Sequence, residues 1–222
     1  GTTSGCPLKS NDPTILRDNL LMFLNLWKNR RRFDRFIHFG SGAELDSPYT
    51  DYGFSKKIIN EIGTSYPRFC NLIVFGVFDH REQGTRFIKA NLNRYLSNRS
   101  LCVKQDRLMD FIYMEDLLSL LQSCLSNPSF PQTFNCCYEE KHSLLSIAHL
   151  INSLGEHECP IDIEKKGRAP DYIGNVSSSG HYICVEQGIR SHALWPESPF
   201  VGLEKGIQIT YQQLLKEGCP AL

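Results

Sequence analysis

Three residue types that can pass a proton between a carbonyl and an alcohol stand close together in this chain. Tyr52 and Lys56 are four apart, and Ser41 ends the short apolar run Phe36-Ile37-His38-Phe39-Gly40. On a helix, a tyrosine and a lysine at that spacing share one face, because 3.6 residues make a turn. An ammonium beside a phenol favours the phenolate, and a serine hydroxyl can hydrogen-bond a substrate oxygen. Together they would make a proton-transfer site for a carbonyl/alcohol pair, the chemistry that accompanies hydride transfer. The spacing alone is a weak signal in a chain with 9 tyrosines. A surface tyrosine one turn from a solvated lysine is the ordinary case.

The surrounding elements raise the value of the pattern. Ile58, Ile59 and Ile62 continue the Tyr–Lys stretch as an apolar helical face. An apolar strand ending in Gly-Ser-Gly precedes it, and the strand Leu72-Ile73-Val74-Phe75 follows. Strand, loop, helix, strand is the βαβ unit of a parallel sheet. Upstream, Asp12-Pro13 is a helix start: a capping acid, then proline in the first turn. Ile15, Leu16, Leu20, Phe23, Leu24 and Trp27 form the buried stripe of that helix. Downstream, the patterns predict helices over 52–65, 86–97, 115–125, 143–154 and 203–217. Strands are expected at 36–40, 70–75, 101–103, 110–113, 132–136 and 159–164. Residues 42–51, rich in Gly, Asp, Ser and Pro, read as a turn, and 79–85 and 165–180 as loops. The fold class is α/β, parallel early and mixed α+β late.

The bulk numbers narrow the partners. The 222 residues are 41% hydrophobic and 22% charged with net charge zero, a globular composition that makes no electrostatic case for nucleic acid or membrane binding. The basic run Lys28, Arg30, Arg31, Arg32 and Arg35 follows a helix, where cations favour the macrodipole. The 9 cysteines show no framework spacing. Cys70, Cys102, Cys124 and Cys184 sit in apolar surroundings and read as free thiols of a reducing, cytoplasmic compartment. Cys136-Cys137 with His142 is a poor zinc half-site, since vicinal cysteines rarely offer tetrahedral geometry. The Asn-x-Ser sequences at Asn98 and Asn175 would matter only in a secreted chain. Gly1 to Lys9 lacks the regions of a signal peptide.

Taken together, the motifs resemble an extended short-chain dehydrogenase/reductase of the NAD-dependent epimerase/dehydratase family, nearest to its GDP-fucose synthase-like branch. The match covers almost the whole chain: Asp18-Asn19-Leu20, Phe39-Gly40-Ser41, Tyr52-Gly53-Phe54-Ser55-Lys56, Phe75-Gly76-Val77-Phe78, Met109 to Asp116, and Leu203 to Tyr211. The resemblance implies the C-terminal part of a Rossmann-type parallel sheet plus a small α+β substrate-binding domain. Residues 1–80 would be partial nucleotide-binding domain and 81–222 mainly substrate-binding, with about 110–136 returning to the sheet.

By the same resemblance Tyr52 is the proton donor or acceptor. Lys56 binds the nicotinamide ribose and Ser41 orients the sugar carbonyl. Gly76 and Phe78 line NAD or NADP beside Tyr52 and Lys56. Gly42, His80, Arg86 and Arg107 meet the nucleotide-sugar substrate, with Lys89 and Arg168 as further phosphate partners. A homodimer through residues 14–29 and 52–65 is implied. Departures matter too. The family's G-x-x-G-x-x-G loop, whose amides hold the pyrophosphate, does not occur in these residues, so the resemblance implies the later part of a longer enzyme. Arginine is expected at Met109, with Arg107 as its substitute. Arg86 stands where the branch places a histidine acid, and His80 is nearby. The alternative is a non-catalytic sugar-nucleotide or dinucleotide sensor or scaffold of the same fold.

Overall fold

The computed structural model of the chain describes residues 12–174 and 200–218. Gly1 to Lys9, Asn175 and Cys184 lie outside them. The chain forms two compact units. Within the described residues the first holds 12–75, 121–136 and 174, and the second 76–120, 137–173 and 200–218.

The first unit opens on helix α1, Pro13–Trp27, whose N-terminus is capped as the sequence predicts: the Asp12 carboxylate accepts the Thr14 N–H. Beyond Trp27 the arginine run folds into a 3₁₀ turn, Arg30–Arg32. There the Arg30 guanidinium donates to the Trp27 carbonyl at 3.0 Å, so the basic residue satisfies a helix-end carbonyl.

Strand β1, Phe36–Ser41, leads into a four-residue helix α2, Ala43–Asp46, and then helix α3, Asp51–Gly63. The 42–51 stretch is therefore not a plain turn. Four residues are too few to display a helical period. Strand β2, Phe69–Val74, lies parallel to β1 in the register Phe36↔Phe69 through Ser41↔Val74. Strand β6, Thr133–Cys136, adds parallel to the other side of β2, giving the order β1-β2-β6.

One face of this sheet packs on α1 and α3 through Phe23, Phe36, Ile59 and Phe69, flanked by Leu20, Trp27, Ile62 and Tyr66. The rings pack edge-on and stacked, with Phe23–Trp27 centroids 5.0 Å apart and Phe36–Phe69 5.9 Å. Gly63 lets α3 close on this cluster, because a Cβ there would collide with the Phe69 ring. The two helices are pinned by one buried hydrogen bond, Asn19 Nδ2 to Ser55 Oγ at 2.9 Å.

The second unit is built from short strands and three helices. Strand β3, Val77–Phe78, pairs with β5, Ile112–Tyr113, and β4, Leu101–Val103, pairs with β7, Ile161–Ile163. Both pairs are parallel. The helices are α4, Phe87–Leu96, α6, Leu144–Asn152, and α7, Leu203–Glu217; α5, Met114–Ser126, starts here and ends in the first unit. Buried Asp116 ties the α7 entry down, accepting the Val201 and Gly202 N–H groups at 2.8 and 3.0 Å and the Tyr138 hydroxyl.

Gly53 is the tightest demand of the Tyr-Gly-Phe-Ser-Lys segment. A Cβ there would overlap the Ser47 carbonyl and lie 2.6 Å from the Ala43 oxygen, both backbone atoms that cannot move aside singly. Gly53→Ala should therefore destabilise the fold by about 1–3 kcal/mol, the scale of overpacking. Gly84→Ala, whose Cβ meets nothing closer than 3.8 Å, should be neutral or slightly stabilising. Urea titrations of both variants check the contrast.

Candidate active site

Ser41 ends β1 and is buried. Its Oγ accepts the Ala43 N–H at 3.3 Å, which starts the turn into α2. Tyr52 and Lys56 fall in the first two turns of α3, on one face as their spacing predicts. The Lys56 ammonium lies 5.7 Å from the centre of the Tyr52 ring and donates to the Phe39 carbonyl at 2.8 Å. Phe36 and Gly42 N–H groups donate to Arg68 and Val74 carbonyls of the β2 side. By the alternation of a parallel ladder, the odd residues of β1 turn their backbone groups to the opposite edge. Among the described residues that side of β1 has no neighbouring strand, and Lys56 reaches the Phe39 carbonyl there, two residues before Ser41. The structure gathers the three expected residues around the end of one strand and the start of one helix.

A fourth group joins them that sequence reading missed. Glu44, on α2, is only 3% exposed. Its Oε1 accepts from Asn71 Nδ2 at 2.9 Å and Asn60 Nδ2 at 3.1 Å, and its Oε2 faces the Ser41 N–H at 3.5 Å. Burial outweighs these donors and pushes its carboxyl up to about 7. Burial also lowers the Lys56 ammonium from its ordinary range, and the facing Glu44 charge works against that lowering. The signal for this network was present as asparagines inside apolar elements. Asn71 interrupts β2, and Asn60 follows Lys56 by one turn. Gly40 makes the room, since a Cβ there would stand 2.9 Å from Glu44 Oε2.

His38 shares that sheet face. It stacks beside Phe69, with centroids 6.3 Å apart, and its Nε2 is buried with no hydrogen-bond partner among the described residues. Burial, with the Lys56 charge second, depresses its pKa to about 3.

The remaining candidates belong to the second unit. Gly76 is glycine because a Cβ would press on the Phe111 ring, and Phe78 is fully buried against Tyr113. Both serve packing there. Gly42, in the first unit, is the N-cap of α2 and donates its N–H to the Val74 carbonyl at 2.9 Å. His80 Nε2 lies 3.3 Å from Glu217. Arg86 is the exposed N-cap residue of α4. Arg107 lies over the Tyr172 ring at 5.5 Å. Lys89 is committed to the loop before α4, donating to the His80 and Glu82 carbonyls. Arg168 pairs with Asp171 at 3.3 Å. Among the described residues no group of three His, Cys, Asp or Glu could hold a metal ion, and no helix is long and apolar enough to cross a membrane.

The folded chain takes up no proton on His38 until pH about 3, whereas the unfolded chain takes one up near 6.5. Acid therefore favours unfolding, and stability should fall as pH drops from 6.5 toward 3, by a few kcal/mol at most from this group. The His38 Hε1 resonance should stay fixed between pH 5 and 8, and His38→Phe should flatten the acid limb of a pH–stability curve.

No protein-family model matches the chain. Among solved structures it aligns with a UDP-glucuronic acid 4-epimerase from Bacillus cereus, held with a fluorinated UDP-sugar and NAD: TM-score 0.70, 16% identity, 90% of this chain and 68% of that one. An NAD-dependent NDP-hexosamine 5,6-dehydratase of tunicamycin biosynthesis gives 0.72 at 16% identity, over 97% and 75%. A GDP-L-fucose synthetase from Naegleria fowleri, bound to NADP, gives 0.67 at 14%, over 90% and 70%. Identities this low speak for the fold alone. The chain has the Rossmann-like α/β fold of nucleotide-sugar epimerases, dehydratases and synthetases, the enzymes its motifs resemble.

Proposed function

We propose that this chain belongs to an NAD(P)-dependent enzyme that oxidises or reduces a nucleotide-activated sugar, with Ser41, Tyr52 and Lys56 as its proton-transfer site. The observation that carries the reading is the half-buried Lys56 ammonium, its proton affinity lowered by burial, beside the Tyr52 ring at the strand end that bears Ser41. An ammonium has three N–H donors. One is used on Phe39, and the others suit a ribose diol, which fits the cofactor the resemblance implies. When bound, NAD or NADP supplies the hydride acceptor or donor. The chain's own residues do the rest. Ser41 Oγ–H orients the sugar oxygen. Tyr52 Oη takes the hydroxyl proton during oxidation and returns it during reduction. Lys56 stabilises the charge left on the phenol, an effect strengthened where water is excluded. Arg86 and Arg107 are the residues of the second unit for the substrate phosphates, since a guanidinium pairs with them bidentately. His80 is the group of the second unit that could serve as an acid.

Tyr52→Phe keeps the ring and removes the transferable proton. In the full-length protein it should cut turnover of a nucleotide sugar by about 10²-fold or more, with the melting temperature little changed. Near-normal turnover would refute the role of Tyr52, and no turnover in the wild type would favour the sensor reading.

The dimer reading rests on α1 and α3. Leu21, Met22, Leu24 and Leu26 on α1 and Phe54 on α3 are large apolar side chains exposed to solvent, and a second copy would cover them. Sedimentation should show a dimer, and the double variant Leu21→Glu/Phe54→Glu should sediment as a monomer. A monomeric wild-type chain would end this reading.

A further inference from the structure

The buried pair Glu44 and Asn71 leaves one hydrogen bond to be accounted for. Asn71 Nδ2 donates to Glu44 Oε1 at 2.9 Å, yet Asn71 Oδ1 is buried with no donor among the described residues. On the carboxyl side, Oε2 receives only the long 3.5 Å approach of the Ser41 N–H. The two oxygens face a common point, 2.5 and 2.9 Å respectively from where a Cβ on Gly40 would stand. Two acceptor oxygens near one point out of water repel, and an orphaned buried acceptor carries a desolvation cost. One proton on Oε2 removes both penalties. It closes a ring in which the amide N–H goes to Oε1 and the acid O–H goes to Oδ1.

We propose that Glu44 and Asn71 form such an acid–amide pair, with the carboxyl carrying the proton, and that Glu44 is the positioning residue of the site: its proton decides whether a negative charge faces the Lys56 ammonium. Burial raising the carboxyl to about 7 agrees with the geometry. The other titratable groups of this interface are Lys56 from α3 and His38 from β1, while Asn60 of α3, Asn71 of β2 and Thr133 of β6 are neutral donors and acceptors. His38 is uncharged throughout the neutral range, so Lys56 is the cation on which the Glu44 charge acts. With Glu44 protonated, burial lowers the proton affinity of Lys56 unopposed; ionised Glu44 works against that lowering and holds the ammonium that supports Tyr52. That catalytic consequence rests on the Ser41–Tyr52–Lys56 reading, whereas the pair itself does not.

Linkage fixes the sign of the stability effect. The folded carboxyl keeps its proton to about 7 and the unfolded one loses it near 4.5, so the pair's contribution is present at pH 5 and is lost as pH rises through 7. Glu44→Gln replaces the acid by an amide that can donate to Asn71 Oδ1 and accept from both asparagines at every pH.

The test is done on the full chain, without cofactor. The carboxyl ¹³C resonance of Glu44 should titrate near neutrality, and the fall in melting temperature between pH 6 and 8 should be smaller in Glu44→Gln. Glu82, also raised to about 7, gives a fall common to both proteins. Lys56, read by ¹³C-dimethyl-lysine NMR with Lys56→Arg for assignment, should lose its proton about one pH unit lower in Glu44→Gln, a tenfold change. A Glu44 carboxyl titrating between pH 4 and 5, or a Lys56 titration unmoved in the variant, overturns the proposal. Should Glu44→Gln fail to fold, the wild-type carboxyl titration decides alone. Absence of sugar-nucleotide turnover would defeat the functional reading and leave these readouts standing.

Discussion

An ammonium laid between a helix and a sheet edge loses the water that stabilises its charge, and the loss is large unless fixed dipoles or an opposite charge replace it. Lys56 is in that position. The Phe39 carbonyl supplies one dipole, the Tyr52 ring a negative face, and Glu44 a carboxyl that can ionise. Each of these requires α3 to sit at one height and rotation on the sheet. Gly53 lets its first turn meet the α2 backbone, Gly63 lets its last turn meet the Phe69 ring, and Ser55 locks its middle to Asn19. A larger residue at either glycine would lift the helix and take the lysine away from the strand end.

The face of the sheet under α3 changes character along its length. At the start of the strands Phe36 pairs with Phe69, and the aromatic cluster around Trp27 covers them. One step on, His38 is opposite Asn71, and next Gly40 is opposite Ile73 beneath Glu44. Side chains two apart share a face, so these pairs form one continuous row that runs from apolar to polar toward Ser41. The aromatic half supplies burial energy. The polar half holds groups whose protonation can change. Separating the two along the same pair of strands lets the second be costly without unfolding the sheet.

The parts of this arrangement that were legible in the sequence are those with a period or a cap. Asp12 before Pro13 and the apolar stripes of α1 and α3 announced their helices, and the parallel β1–α3–β2 order followed from the strand ending in Gly-Ser-Gly and the strand after the helix. Ser41, Tyr52 and Lys56 were legible because a motif fixed their spacing. The hidden parts depend on contacts between distant residues. Asn19 was legible only as part of the motif Asp18-Asn19-Leu20, and its partner Ser55 is 36 residues away. Glu44 lay in a stretch too short for a period, and its partners Asn60 and Asn71 come from other elements. The two-residue strand β3 carries no alternation to read.

The polar half of the sheet also bears on what kind of protein this is. A scaffold or sensor of the same fold has no use for a proton relay. In such a protein, apolar residues at positions 38, 44 and 71 would pack the same space without desolvation cost, since replacing buried charge by well-packed apolar groups is often neutral or stabilising. This chain instead holds, in one small region, an imidazole nitrogen without a partner among the described residues, a carboxyl raised to about 7 and an ammonium lowered by burial. Groups held at such cost and with shifted proton affinities are a mark of functional sites rather than of support. The cost falls on the interface that carries Ser41, Tyr52 and Lys56. That is where the proposed proton-transfer site would need it, and it supports the proposed enzymatic reading over recognition alone.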